Sequence, residues 1–148
     1  MNDPDSFFSD YERHRQAQPK INKGNKRALF DALAAAHITE VHVDFDGVGD
    51  SGQIGSVIAF RGEDRAELPK ATVTIRQVSW PNTKAAITQA TLEEAIETLC
   101  YAYLEETHGG WENNDGAYGE FRFDVAKRTI TLEFNGRYTD IHTDNRTF

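Results

Sequence analysis

The stretch that decides the fold is VHVDFDGVGDSGQIGSVIAF, residues 41–60. Over residues 41–46 apolar and polar residues alternate strictly, a period typical of a strand with one buried face. The glycine-rich segment 47–52 then predicts a turn, and 53–61 predicts a second strand. Residues 38–61 are therefore expected to form a β-hairpin.

Three more strands follow from the same alternation. A strand is predicted over 70–80, with Val73 and Ile75 on one face and a bulge near Gln77. Two others are predicted over 120–125 and 128–134. After them, Asn135-Gly136 indicates either a turn into one further strand or a kink. Segment 62–69 is expected to be a charged loop, and 81–90 has no clear pattern.

The helices are marked by caps and by helical spacing. Thr91-Leu92-Glu93-Glu94 is a capping box that opens a helix over about residues 92–107. Its apolar stripe, spaced for one buried face, consists of Leu92, Ala95, Ile96, Leu99, Cys100 and Tyr103. Earlier in the chain, helices are expected over 4–18 and 25–37, interrupted by Pro19 and the polar residues after it.

Strands in runs with short connections favour antiparallel pairing. We therefore predict an α+β fold: a single antiparallel sheet of five to six strands packed against one long helix, with a helical N-terminal arm. The predicted domains are a locally basic arm over 1–24 and a single α+β domain over 25–148.

The charge distribution restricts the classes of partner. The 148 residues carry 24 acidic and 16 basic side chains, a net charge of −8, and the excess acid lies after residue 37. An acidic body repels phosphates, which argues against direct nucleic-acid binding and against a membrane surface. The acidic N-terminus lacks a secretory signal, and Cys100 is the only cysteine, so a cytoplasmic protein is expected.

Asp44 and Asp46 end the first strand as Asp-x-Asp-Gly, which resembles the first motif of haloacid-dehalogenase-type phosphatases. In that family the first carboxylate attacks phosphorus and the second is the acid/base, beside Mg²⁺. The alternating strand and the turn after it argue against this resemblance, because that family's strand is a buried, continuously apolar one. A small metal-dependent hydrolase using Asp44 and Asp46 is therefore the alternative hypothesis.

Other chemistry-like patterns are incomplete. Gly49-Asp50-Ser51-Gly52 has the letters of a serine-protease nucleophile loop, but the chain is too short for that fold and has no matching histidine motif. Asp44, Asp46 and Asp50 lack the glutamate that closes an EF-hand loop. Cys100 falls within the apolar helix stripe, as expected of a core residue. We predict no catalytic set, no metal site and no cofactor.

The most distinctive stretch is GGWENNDGAYG, residues 109–119. Aromatic side chains beside adaptable polar ones suit a contact surface, because they bury large area at low entropic cost. An alternative is that Trp111 covers the sheet edge while the glycines shape the turn. On the first interpretation the two glycine-rich loops form a binding surface. Its predicted residues are Asp46, Asp50, Ser51, Trp111, Glu112, Asn114, Asp115 and Tyr118.

Two motifs taken together, Gly49-Asp50-Ser51-Gly52 and Gly110-Trp111-Glu112 with Asn114-Asp115-Gly116, resemble a family of small uncharacterised bacterial proteins, often encoded on plasmids, phages and other mobile elements. The resemblance covers about residues 38–140. It implies no activity and no catalytic residue; it implies that the two loops belong together. The predicted function is a non-enzymatic protein–protein interaction or regulatory module, as an accessory or inhibitor protein of a mobile genetic element. The expected partner is a protein, with a basic one fitting the charge.

Overall fold

The computed structural model of the protein describes residues 4–48, 51–77, 86–108, 116–137 and 141–148. Within them lie two helices and eight strands. In chain order these are α1 (Pro4–Ala35), β1 (Glu40–Val48), β2 (Ser51–Arg61), β3 (Asp64–Ala66), β4 (Thr72–Gln77), β5 (Ala86–Thr91), α2 (Leu92–His108), β6 (Ala117–Asp124), β7 (Thr129–Arg137) and β8 (Ile141–Thr147). Neither helix is long and apolar enough, over the described residues, to cross a membrane.

Six strands form one antiparallel sheet in the order β3-β2-β1-β6-β7-β8. Among the described strands, β4 and β5 pair only with each other, as a separate antiparallel sheet that packs against both helices. The predicted α+β class and antiparallel pairing are therefore confirmed. The predicted single sheet with one covering helix is wrong, because two helices cover the large sheet and a second small sheet accompanies them.

The large sheet has one apolar face, toward the helices. Phe30 of α1 lies 6.0 Å from Phe123 of β6 between ring centroids, and His108 of α2 lies 3.7 Å from Phe134 of β7. Every member of the predicted α2 stripe is buried, and the apolar residues that alternate along β6 and β7 are buried too: Phe121, Phe123, Ile130, Leu132 and Phe134. The α2 N-cap is also confirmed, since the Glu94 amide donates to Thr91 Oγ1 at 3.2 Å. We call the opposite, solvent-facing side of this sheet the outer face.

Helix α1 corrects the predicted interruption at Pro19. It runs unbroken through that residue and crosses the predicted domain boundary at 24. Proline removes one helical hydrogen bond, but packing of the following turns offsets that loss. Asn22 is buried and bonds Gln18 and Glu106, and Asn25 is buried against β4. Polar residues that look like a linker in the sequence are thus contacts of the helix.

Several strands differ from the prediction. The strand expected over 70–80 is β4, Thr72–Gln77; Val78 and Trp80 lie outside the described residues. Its partner β5 arises in the segment without a pattern, and there only Ala90 is buried. Short β3 lies in the expected charged loop. A last strand, β8, does follow β7, but Asn135 and Gly136 are inside β7 and make no turn.

Candidate functional site

The two glycine-rich loops leave the large sheet at the same end. Gly47 of β1 pairs with Gly52 of β2 on one side and with Ala117 of β6 on the other. The loop after β1 and the connection that enters β6 therefore start and finish on neighbouring strands. We call this edge of the sheet the loop end.

The loop end brings together two of the predicted site residues. Asp46 lies directly opposite Tyr118, with Asp46 exposed and Tyr118 half-buried. Ser51 begins β2, opposite Val48. The other predicted residues, Asp50, Trp111, Glu112, Asn114 and Asp115, lie outside the described residues.

The pair Asp46 and Tyr118 is continued across the outer face by two residues that the sequence analysis did not identify. Asn135 of β7 lies opposite Tyr118, and Thr143 of β8 lies opposite Asn135. The Asn135 carboxamide is buried; its Nδ2 donates to the Tyr118 carbonyl at 3.4 Å, and its Oδ1 accepts from Thr143 Oγ1 at 2.6 Å. Asn135 thus holds β6, β7 and β8 in register beside Tyr118. The strand alternation of β7 extends through Asn135, but the pair Asn135-Gly136 predicts a turn or a kink there.

His108 ties the last turn of α2 to the other face of the loop end. Its Nε2 lies 3.0 Å from Asp144 Oδ2, and its ring stacks on Phe134. Its Nδ1 lies 2.8 Å from Thr107 Oγ1. Because the Thr107 hydroxyl donates its one proton to the Tyr103 carbonyl at 2.7 Å, its oxygen accepts from Nδ1. His108 thus connects the end of α2 with β8 through contacts of both ring nitrogens.

A row of three carboxylates crosses the outer face. Asp44 of β1 lies opposite Glu120 of β6, and Glu120 lies opposite Glu133 of β7. Arg122 is a cationic neighbour of Glu120, with its Nε 2.5 Å from Glu120 Oε1. Like charges directly opposite each other destabilise a sheet. Arg122 and the Asn135 Nδ2, which donates to Glu133 Oε1 at 3.5 Å, offset part of this repulsion, and a further cation approaching the row would offset more of it.

Asp44 also has a structural role in β2. The Ser56 amide donates to Asp44 Oδ1 at 2.6 Å, and the Ser56 hydroxyl donates to the same oxygen. This contact lies at a bulge, where Gly55 has no partner between the pairs Asp44–Ser56 and Phe45–Ile54. A Cβ on Gly55 would approach Asp44 Oδ2 to 2.9 Å. The Asp44 carboxylate therefore anchors the bulge.

The three cavities that we describe lie away from Asp46 and Tyr118, although one of them is lined by Glu120 and Glu133 of the charged row. The largest that we describe, about 610 Å³, lies between β2, β3 and the start of α2, and is lined by Val57, Leu68 and Glu93 among others. Two smaller ones, of about 230 and 320 Å³, lie beside Asn22 and beside Arg146. Neither Asp44 nor Asp46 lines any of these three. Among the described residues, no three His, Cys, Asp or Glu side chains are grouped as metal ligands would be.

Comparison with protein families matches residues 21–148 to DUF6878, a family of unknown function. The chain belongs to this family. The DUF6878 match begins within α1, just before Asn22, and includes every strand, α2 and both glycine-rich loops. No curated protein and no solved structure matches the chain. The DUF6878 segment therefore contains the whole loop end, and its description assigns no activity to it.

Proposed function

We propose that this DUF6878 protein is a non-enzymatic interaction module that binds a basic protein partner at the loop end. One observation carries the proposal: Asp46 lies directly opposite Tyr118, where the flanks of both loops meet on neighbouring strands. An exposed carboxylate beside a half-buried tyrosine offers an ionic contact and an aromatic one within a single patch.

The outer face supports a cationic partner. The row of Asp44, Glu120 and Glu133 begins two residues along β1 from Asp46, on the same face. A partner carrying arginine or lysine would relieve the repulsion within that row, and the attraction would steer its approach. The predicted role as an accessory or inhibitor protein of a mobile element belongs to this proposal and is supported by the resemblance of the two loop motifs. The compartment that we propose for it is the cytoplasm.

A matched pair of charge reversals tests the proposal. Asp46 and Glu40 are both exposed carboxylates on the outer face of β1, one at the loop end and one at the opposite end. Immobilised wild type, Asp46→Lys and Glu40→Lys would be compared for the proteins that each retains, at about 50 mM and about 300 mM salt, where screening differs.

We expect a basic protein that wild type and Glu40→Lys retain at low salt and that Asp46→Lys does not. Retention should fall at the higher salt, because exposed ionic contacts are screened. Equal retention by all three proteins would overturn the placement at the loop end. Loss in both variants would mean that total charge, and no particular site, determines binding.

The hydrolase hypothesis makes a different prediction. If Asp44 and Asp46 held a metal ion, Mg²⁺, Mn²⁺, Ca²⁺ or Zn²⁺ would raise the thermal unfolding temperature, because a ligand of the native state stabilises it. Asp46→Asn would abolish that rise without disturbing the bond between Asp44 and Ser56. A metal-specific stabilisation lost in Asp46→Asn would favour the hydrolase over the interaction module.

A further inference from the structure

The last strand, β8, is an edge strand of the large sheet, and no described strand pairs with the edge that faces away from β7. The pairing of Phe148 shows which backbone groups of β8 point toward β7. Phe148 exchanges both backbone hydrogen bonds with Ile130 of β7, at 2.7 and 3.2 Å. Because bonded positions alternate along an antiparallel pair, Arg146 and Asp144 also face β7 with their backbone groups. Thr143, Asn145 and Thr147 therefore direct their N–H and C=O groups to the open edge.

The side chains on this edge are complementary to themselves. Asp144 and Arg146 flank Asn145 on one face of β8, and Arg146 Nε lies 3.2 Å from Asp144 Oδ2. If a second β8 runs antiparallel about a two-fold axis at Asn145, Asp144 lies opposite the partner's Arg146, and Arg146 opposite the partner's Asp144. These are non-hydrogen-bonded positions, where facing side chains come closest. Two opposite-charge pairs result, each favourable.

The backbone groups fit the same register. Asn145 would exchange two hydrogen bonds with the partner's Asn145. Thr143 would exchange two hydrogen bonds with the partner's Thr147, and Thr147 would exchange two with the partner's Thr143. Every outward backbone group from 143 to 147 is then bonded, as strand addition at a sheet edge requires.

We propose that two copies of this protein associate through β8 into a two-fold dimer with one continuous twelve-stranded sheet. The axis is perpendicular to the sheet, so both outer faces lie on the same side and the acidic surface is doubled. The two loop ends point in opposite directions and stay open, so the dimer presents two separate sites. This inference uses other residues than the proposed function and can fail independently of it.

Charge exchange on β8 provides the test, with molar mass followed by sedimentation over a range of concentrations. We expect wild type to be a dimer, and both Asp144→Arg and Arg146→Asp to be monomers, because each places like charges opposite each other twice. The double variant Asp144→Arg/Arg146→Asp should dimerise again. It also lacks the His108 contact, so recovery in the double variant cannot come from that bond.

A proline variant tests the backbone pairing. Asn145→Pro removes an N–H that points to the open edge, so the ladder with β7 stays intact and the chain should fold as a monomer. Circular dichroism confirms folding for each variant. A monomeric wild type at the highest concentration, dimeric single reversals, or a folded double variant that stays monomeric would each overturn the proposal.

Discussion

The carboxamide of Asn25 binds both backbone polar groups of Arg76, with Nδ2 donating to the carbonyl at 2.8 Å and Oδ1 accepting from the amide at 2.9 Å. Asn25 is in α1 and Arg76 is in β4, so a side chain of the helix pairs with the backbone of the small sheet. It makes the two hydrogen bonds with Arg76 that a neighbouring strand would make. The contact explains how a two-stranded sheet, marginal by itself, is held against the helices.

Asn25→Ala should lower the free energy of unfolding by about 2 kcal/mol, because it leaves two polar groups of Arg76 without their protein partner. Urea denaturation measures the change. Lys23→Ala, at an exposed position in the same helix, is the control and should shift stability by less than about 0.5 kcal/mol. A neutral Asn25→Ala would mean that water replaces the carboxamide.

Two glycines should respond in opposite directions to alanine. A Cβ on Gly119 would lie 2.0 Å from the Glu133 carbonyl oxygen and 2.8 Å from Phe45 Cζ, whereas one on Gly24 meets nothing within 4 Å. Gly119→Ala should therefore destabilise by about 3 kcal/mol or more, as overpacked core variants do. Gly24→Ala, inside α1, should stabilise by about 0.5–1 kcal/mol. Thermal unfolding of the two variants decides both signs.

The sequence predicts those elements whose burial is one-sided and regular. Val41, Val43 and Phe45 in β1 and the α2 stripe are buried as their periods require. Pro19 was misleading, because its local cost is offset by contacts of Asn22 and Asn25 that depend on tertiary structure. Strand β5 was missed because four of its first five residues are exposed, so no alternation marks it.

The candidate site was predictable only in part. The sequence places Asp46 and Tyr118 in one site because they flank the two glycine-rich loops. It does not show that they pair directly, because that depends on which strands become neighbours. Strand β6 lies beside β1 although some 70 residues separate them. Bringing such distant segments together costs loop-closure entropy, and the alternation pattern of each strand does not show which of them pair. Asn135 was missed for a local reason, because Asn-Gly predicts a turn or a kink where the chain instead continues as β7.

Cys100 should be unreactive in the native protein. It is fully buried, and burial, followed by the nearby charge of Glu97, raises the pKa of its thiol well above the usual value. Because the thiolate is the reactive form, a thiol reagent should label it only when the chain opens. Labelling in urea should follow unfolding. Rapid modification without denaturant would show that α2 separates from the sheet in the native state.

Asp144 should make stability depend on pH in the acid range. The hydrogen bond from Arg146, and then that from His108, lowers the pKa of this carboxyl below its usual 3.8. The folded state therefore binds fewer protons than the unfolded one, so this contribution is present above pH 3.8 and is lost as pH falls further. The effect is small, since the group is exposed to solvent. Denaturation below pH 4 should show a flatter pH dependence for Asp144→Asn than for wild type.

Glu133→Lys should make the protein more stable and a weaker binder. Glu133 lies opposite Glu120, so the substitution replaces a like-charge pair by an opposite-charge pair and should add about 0.5 kcal/mol. Thr131→Lys is the mirrored control, because it places a second cation opposite Arg122 and should destabilise by a similar amount. If the acidic row is retained for a cationic partner, stability and capture of that partner change in opposite directions in Glu133→Lys. A variant that gains stability and keeps full capture would remove the row from the binding surface and leave only the loop end.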